Sequence, residues 1–197
     1  MKSKFKWLIG LILVSITAIS IFYYPSVKQY RTRRFIEKYL TDILTYCEYF
    51  DIPETAYMSV IYAERLHNIN EFDRADFTRA YLGFDASVGF GQIKISTAEW
   101  LETHYEELFP FSISANRTAL IDRLYSPDTN IAYSVLYCRV IYNHFYEKYG
   151  VFPDVASLSS YYSRGIDYGR TIHDKYYLNS LGMTAYEVFK EHFDTGL

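Results

Sequence analysis

Three observations make this chain mostly α. From about Val27 onward, apolar residues recur at helical spacing, and helix start and stop residues punctuate the pattern. Only the stretch from Ile69 to Ile95 lacks that regularity, and it leaves room for a short β-hairpin between Tyr81 and Ile93. No internal repeat or low-complexity linker interrupts the run, and 197 residues suit one domain of ordinary size. The predicted fold is therefore a mostly α single domain with a small irregular or β element, preceded by one N-terminal transmembrane helix.

The transmembrane expectation rests on the first residues. Lys2, Lys4 and Lys6 precede an uncharged run from Trp7 to Tyr24 that ends in Phe22-Tyr23-Tyr24, an aromatic belt. A bilayer core takes roughly 20 apolar residues, and a signal-peptide core is shorter. The best small-residue cleavage site, Ala18-Ile19-Ser20, is poorly formed. Residues 1–26 are thus expected to be an uncleaved signal anchor and residues 27–197 the domain. The early lysines point to the N-terminus inside, although Lys28, Arg31, Arg33 and Arg34 on the far side oppose that orientation. The expected location is the cell envelope, in the cytoplasmic membrane with the domain outside the cytoplasm, or exported.

Along the domain, Phe35, Tyr39, Leu40, Ile43, Leu44 and Cys47 predict one helix from Tyr30 to Phe50. Asp51-Ile52-Pro53-Glu54 combines a capping residue, an early proline and an acid, which predicts the next start. Similar starts are read at Ser96-Thr97-Ala98-Glu99 and Thr184-Ala185-Tyr186-Glu187. Ser126-Pro127 opens a long helix through Ile131, Val135, Cys138, Ile141 and Phe145 to a stop at Gly150. Further helices are expected over 115–124, 153–162 and 167–178.

Composition excludes some functions. With 20 Lys+Arg against 23 Asp+Glu, there is no basic footprint for nucleic acid. Cys47 and Cys138 have no metal-ligand spacing, and no metal or other cofactor is expected. The two thiols read equally as a pair in an exported domain or as two buried free cysteines. The 22 Tyr and 14 Phe mainly fill a core. Tyr also joins an apolar face to a polar tip, the mixture a sugar ring presents. His67, His104, His144, His173 and His192 show no ligand spacing and receive no chemistry.

One acidic residue stands out. Glu64 ends the apolar run Ala56-Tyr57-Met58-Ser59-Val60-Ile61-Tyr62-Ala63, and Ser87-Val88-Gly89-Phe90-Gly91-Gln92-Ile93 follows within a domain's reach. A carboxyl held against apolar surface keeps its proton near neutrality, as a general acid must. That combination points to glycosidic bond cleavage.

Gly89-Phe90-Gly91-Gln92-Ile93-Lys94-Ile95-Ser96-Thr97-Ala98 resembles the Gly-Leu-Met-Gln…Thr-Ala segment of the soluble lytic transglycosylase family, relatives of goose-type lysozymes. Pro127-Asp128-Thr129-Asn130-Ile131 is similar to its Pro-Glu-Thr-Asn-Ile helix start, and Tyr162-Ser163-Arg164-Gly165 to its Tyr-Asn-Ala-Gly. With Glu64 at the place of the family's acid, four ordered blocks span Tyr57 to Gly165. The chain departs from the family at Arg65, where a serine is usual, at Gly91 for Met, and at Ser163 for Asn.

The resemblance implies a lysozyme-like fold and a peptidoglycan lytic transglycosylase, which cuts the β-1,4 bond between N-acetylmuramic acid and N-acetylglucosamine. Glu64 is then the single catalytic acid and later base, and the product ends in 1,6-anhydromuramic acid. Ser87, Gly89, Gln92, Tyr137 and Tyr162 are the implied substrate-binding residues. Asp85 is a candidate second carboxylate that would permit hydrolysis; a turn-forming aspartate is the competing reading. The implied partners are glycan strands, the membrane through the N-terminal helix, and an envelope-spanning complex. A muramidase or chitinase on the same fold, or a wall-binding protein without activity, are the alternatives.

Overall fold

The computed structural model describes residues 26–68, 73–165 and 178–192. The chain divides into two units, residues 1–38 and 39–197. In the first, residues 26–38 form a helix, α1, which carries the exposed ion pair Arg34–Glu37 at 2.9 Å.

The second unit runs α2 (Leu40–Tyr49), α3 (Glu54–His67), α4 (Asp73–Tyr81), β1 (Ser87–Val88), β2 (Ile93–Lys94) and α5 (Ile95–His104). A 3₁₀ turn (Glu106–Leu108), α6 (Arg117–Tyr125), α7 (Pro127–Tyr149), α8 (Val155–Arg164) and α9 (Ser180–His192) follow. β1 and β2 pair antiparallel, with Ser87 opposite Lys94 and Val88 opposite Ile93.

The mostly α expectation with a small β element holds among the described residues, but the fold class with a membrane helix does not. No described helix is long and apolar enough to cross a membrane. The longest, α7, has 23 residues but includes Asp128, Arg139, Glu147 and Lys148, so its sequence is that of a helix within a folded domain. The expected span, residues 7–24, lies outside the described residues.

The core is built around α3 and α7. In α3, Ala56, Tyr57, Val60, Ile61 and Ala63 are buried on successive faces, so the helix is surrounded rather than laid on a surface. α7 buries Ile131, Tyr133, Val135, Leu136, Cys138 and Ile141 in the same way. Each such side chain contributes about 1.5–3 kcal/mol of transfer free energy. Tyr57 of α3 shares a hydrogen bond with Ser134 of α7, which satisfies both buried hydroxyls. Cys47 and Cys138 are both buried free thiols.

The long helix keeps its expected limits. Pro127 occupies its first turn, and Gly150 ends it in the left-handed region at φ 69°. Helices expected over 115–124 and 153–162 appear as α6 and α8, where Asn116 and Asp154 accept from the backbone N–H of Ala119 and Ser157. The helix expected over 167–178 falls almost wholly outside the described residues.

Other local readings fail for tertiary reasons. The single helix expected from Tyr30 to Phe50 is broken by a turn at Tyr39, whose ring packs edge-on against Phe90. Asp51 does not cap α3. It sits at φ 54°, and its carboxylate pairs with Arg139 of α7 at 3.0 Å. Thr184 lies inside α9, one turn after its start, and donates back to the Ser180 carbonyl. The first turn of α9 is bound instead by Asn179, whose Oδ1 accepts from Gly182 N.

Candidate active site

Glu64 is on the last turns of α3, where the chain leaves the core for the surface. It lines an open cleft of about 420 Å³ together with His67, Asn68, Asp85, Ser87 and Gln92. A smaller recess of about 40 Å³ shares Glu64, Ser87 and Gln92 and adds Lys94, Tyr137 and Tyr162. Every sequence-proposed site residue except Gly89 thus lines one or both cavities.

The Glu64 carboxyl is poorly provided for. Its Oε1 is withdrawn from solvent and has no hydrogen-bond partner among the described residues. Burial disfavours the charged form and raises its pKa from 4.5 to about 8, opposed more weakly by the positive charge of Lys94. Arg65 does not neutralise it. Neighbours in a helix point about 100° apart, and the Arg65 guanidinium donates to the Phe90 carbonyl at 3.4 Å and interacts with Asp73. The departure at position 65 therefore leaves the acid in its protonated form at neutral pH.

The floor of the cleft is the turn between the two strands. Gly89 has φ 74°, and a Cβ there would stand 2.1 Å from Asn130 Nδ2. Gly91 lacks room for another reason: a Cβ would stand 2.4 Å from Ser134 Cβ. Glycine at 91, in place of the larger residue of the resembled family, lets α7 approach this turn. Gln92 follows with φ 51° although it has a side chain.

Asn130 fastens that turn. Fully buried at the start of α7, it accepts from Gly91 N at 2.7 Å and donates to the carbonyls of Val88 and Leu124 at 3.1 and 3.0 Å. Both of its amide hydrogens and one lone pair of its oxygen are thus spent on positioning. Tyr162 holds the turn from the other side, donating its hydroxyl to the Gly91 carbonyl at 2.6 Å. Its hydroxyl is thus committed to the backbone, and Tyr137 packs against its ring at 5.2 Å between centroids. Tyr162, expected to bind substrate, thus spends its hydroxyl on the turn that forms the cleft floor.

Gln92 is also partly committed. Its amide nitrogen donates to the Gly89 carbonyl at 2.9 Å and to Asp73 at 3.2 Å, and its oxygen accepts from Asn68 at 2.7 Å. Asn68 closes α3 by donating its backbone N–H to the Glu64 carbonyl. The chain of contacts therefore runs from the buried Asn130 through the turn to the residue bearing the acid. Ser163, which stands for an asparagine of the resembled family, is engaged by Asn179 at 2.6 Å and belongs to the junction with α9.

Asp85 lines the cleft but is a helix cap. Its two oxygens accept from the backbone N–H and the hydroxyl of Ser96, both at 2.9 Å, at the first turn of α5. The expected capping residue of that helix, Ser96, is itself the donor, because an aspartate from the preceding loop reaches the site first. His67 also lines the cleft, with Nε2 at 2.9 Å from the Thr184 hydroxyl. Among the described residues, no group of three acidic, histidine or cysteine side chains is placed to hold a metal.

Sequence reading missed Asn130 as a positioning residue and Arg79 as a cleft residue. Asn130 lay within a quoted motif, and its zero exposure supplies the reason a helix start needs an amide there. No protein-family model matches the chain, and no curated protein is similar to it in sequence.

Proposed function

We propose that the protein is a lytic transglycosylase acting on peptidoglycan, with Glu64 as its only catalytic carboxyl. The observation that carries this reading is an acid in an open cleft with one oxygen unpartnered and a pKa raised to about 8. At neutral pH that group holds a proton ready for a glycosidic oxygen.

The proposed reaction uses one carboxyl twice. Glu64 donates its proton as the bond between C1 of the muramic sugar and the bridging oxygen breaks. The substrate's own N-acetyl group stabilises the cationic C1, and the 6-hydroxyl of the same sugar then attacks C1. The Glu64 carboxylate takes the hydroxyl proton, which restores the acid and leaves a 1,6-anhydro end. No water is consumed. Asp85, with both oxygens occupied by Ser96, gives little support to the hydrolytic alternative, which needs a free second carboxylate.

Mass spectrometry of soluble fragments after incubating the full chain with peptidoglycan tests the reading. Anhydro-ended fragments are expected from the native protein, and at least about a thousandfold fewer from Glu64→Gln. Reducing ends would replace this reading with a hydrolase. Absence of fragments from a folded native protein would replace it with glycan binding alone. Activity should fall as pH rises through about 8, where Glu64 loses its proton.

A further inference from the structure

One cation of the cleft wall is unused by this mechanism. Arg79, in the last turn of α4, lines the same cavity as Glu64. Its side chain is 57% exposed. Among the described residues it pairs with Asp76, one turn earlier and buried, with Oδ1 3.9 Å from Nη1. That distance is too long for a hydrogen bond, so among the described residues no side chain fills the donors of the guanidinium. The other rim carboxylate, Asp85, is occupied by Ser96.

The guanidinium is nevertheless held in place. The chain leaving α4 passes through Gly83, at φ 92°, and turns back so that Phe84 N donates to the Arg79 carbonyl at 3.0 Å. The Phe84 ring then lies under the guanidinium, 6.0 Å from Cζ to the centroid. The carbonyl of Phe84 is in turn fixed by Arg117 at 2.9 Å. An arginine supported in this way loses little freedom when a ligand arrives.

We propose that Arg79 is a specificity-determining residue that binds a carboxylate on the lactyl arm of the muramic sugar. This rests on the transglycosylase reading of the same cleft. A guanidinium presents paired N–H groups that match a carboxylate, whereas the hydroxyls and N-acetyl groups of a glycan backbone are neutral. The acid group can come from the free arm or from the peptide attached to it. Either source would let the enzyme distinguish wall glycan from a neutral polymer of N-acetylglucosamine.

The test uses the full chain carrying Glu64→Gln, so that ligands bind without being cut. Dissociation constants are measured for three oligosaccharides of equal length. These are a peptide-bearing wall strand, the same strand after amidase treatment, and a chito-oligosaccharide. The preference for the acidic strands over the neutral one should drop about tenfold when Arg79→Ala is added, and its dependence on salt should weaken with it. Arg79→Lys, which keeps the charge but not the fork, should restore only part of the preference. Loss confined to the peptide-bearing strand assigns the carboxylate to the peptide; loss confined to the amidase-treated strand assigns it to the lactyl arm. A preference that survives Arg79→Ala and Arg79→Lys in folded protein overturns the proposal alone. Failure of Glu64→Gln to bind any of the three removes the function reading and this proposal with it.

Discussion

Glu64 and Glu102 both sit on helices of the same unit with oxygens turned away from water, and their surroundings differ in every other respect. Glu102, on α5, directs Oε1 at four donors: the backbone N–H of Ser114 at 3.0 Å, the Ser114 hydroxyl at 2.7 Å, the Tyr133 hydroxyl and Arg123 at 3.3 Å. Among the described residues, Glu64 has Oε1 without a partner and only the field of Lys94 to favour its charge. One carboxylate stitches a long loop and α6 to the core. The other is kept in an unsatisfied state that costs stability and holds its proton. Burial alone does not distinguish these two acids; the donors around each do.

The comparison breaks most visibly at Glu102. Replacement by Ala should destabilise the protein by about 3 kcal/mol, because Arg123, Tyr133 and Ser114 lose a shared acceptor. Denaturant unfolding measures this, and a loss below about 1 kcal/mol would show that water serves these groups equally well.

Glu64→Gln should move stability the other way. A folded-state pKa of about 8 against an ordinary 4.5 means that the carboxyl's contribution is fully present below 4.5. It is lost as pH rises from there to about 8. Gln carries no such term, so the variant should match the native protein near pH 4 and exceed it by about 2 kcal/mol at pH 6. Parallel unfolding curves at the two pH values, with no widening gap, would contradict the raised pKa.

The smallest effect is expected at Asp85. Asp85→Asn keeps an acceptor for Ser96 and loses only a charge at the start of α5, worth about 0.5 kcal/mol. Fragments released by this variant should keep anhydro ends. A changed type of end would bring Asp85 into the chemistry beside Glu64 and end the one-carboxyl scheme.

What was legible in the sequence follows the range of each interaction. Glu64 could be singled out because the apolar run before it is local, and the limits of α7 because Pro127 and Gly150 act within one turn. Gly89 and Gly91 stood out within the segment that carries the resemblance, but nothing there showed that Asn130 and Ser134 crowd them. Asp51, Ser96 and Thr184 misled because a capping residue is only an offer of a hydrogen bond. Arg139 and Asp85 made better offers at two of those positions, and Asn179 had already bound the first turn of α9. The position of Arg79 on the cleft wall depends on how α4 packs, which no local pattern encodes.

Asn130 has a kinetic consequence as well. A glycine amide in a surface turn ordinarily exchanges its hydrogen with solvent through small local openings. Here the Gly91 amide is bonded to a side chain with zero exposure at the base of the longest described helix. Its exchange should be as slow as that of the α7 core, since freeing it requires α7 to part from the turn. The floor of the cleft therefore belongs to the same cooperative unit as the core, and partial unfolding of the periphery leaves the geometry around Glu64 standing until the whole domain gives way.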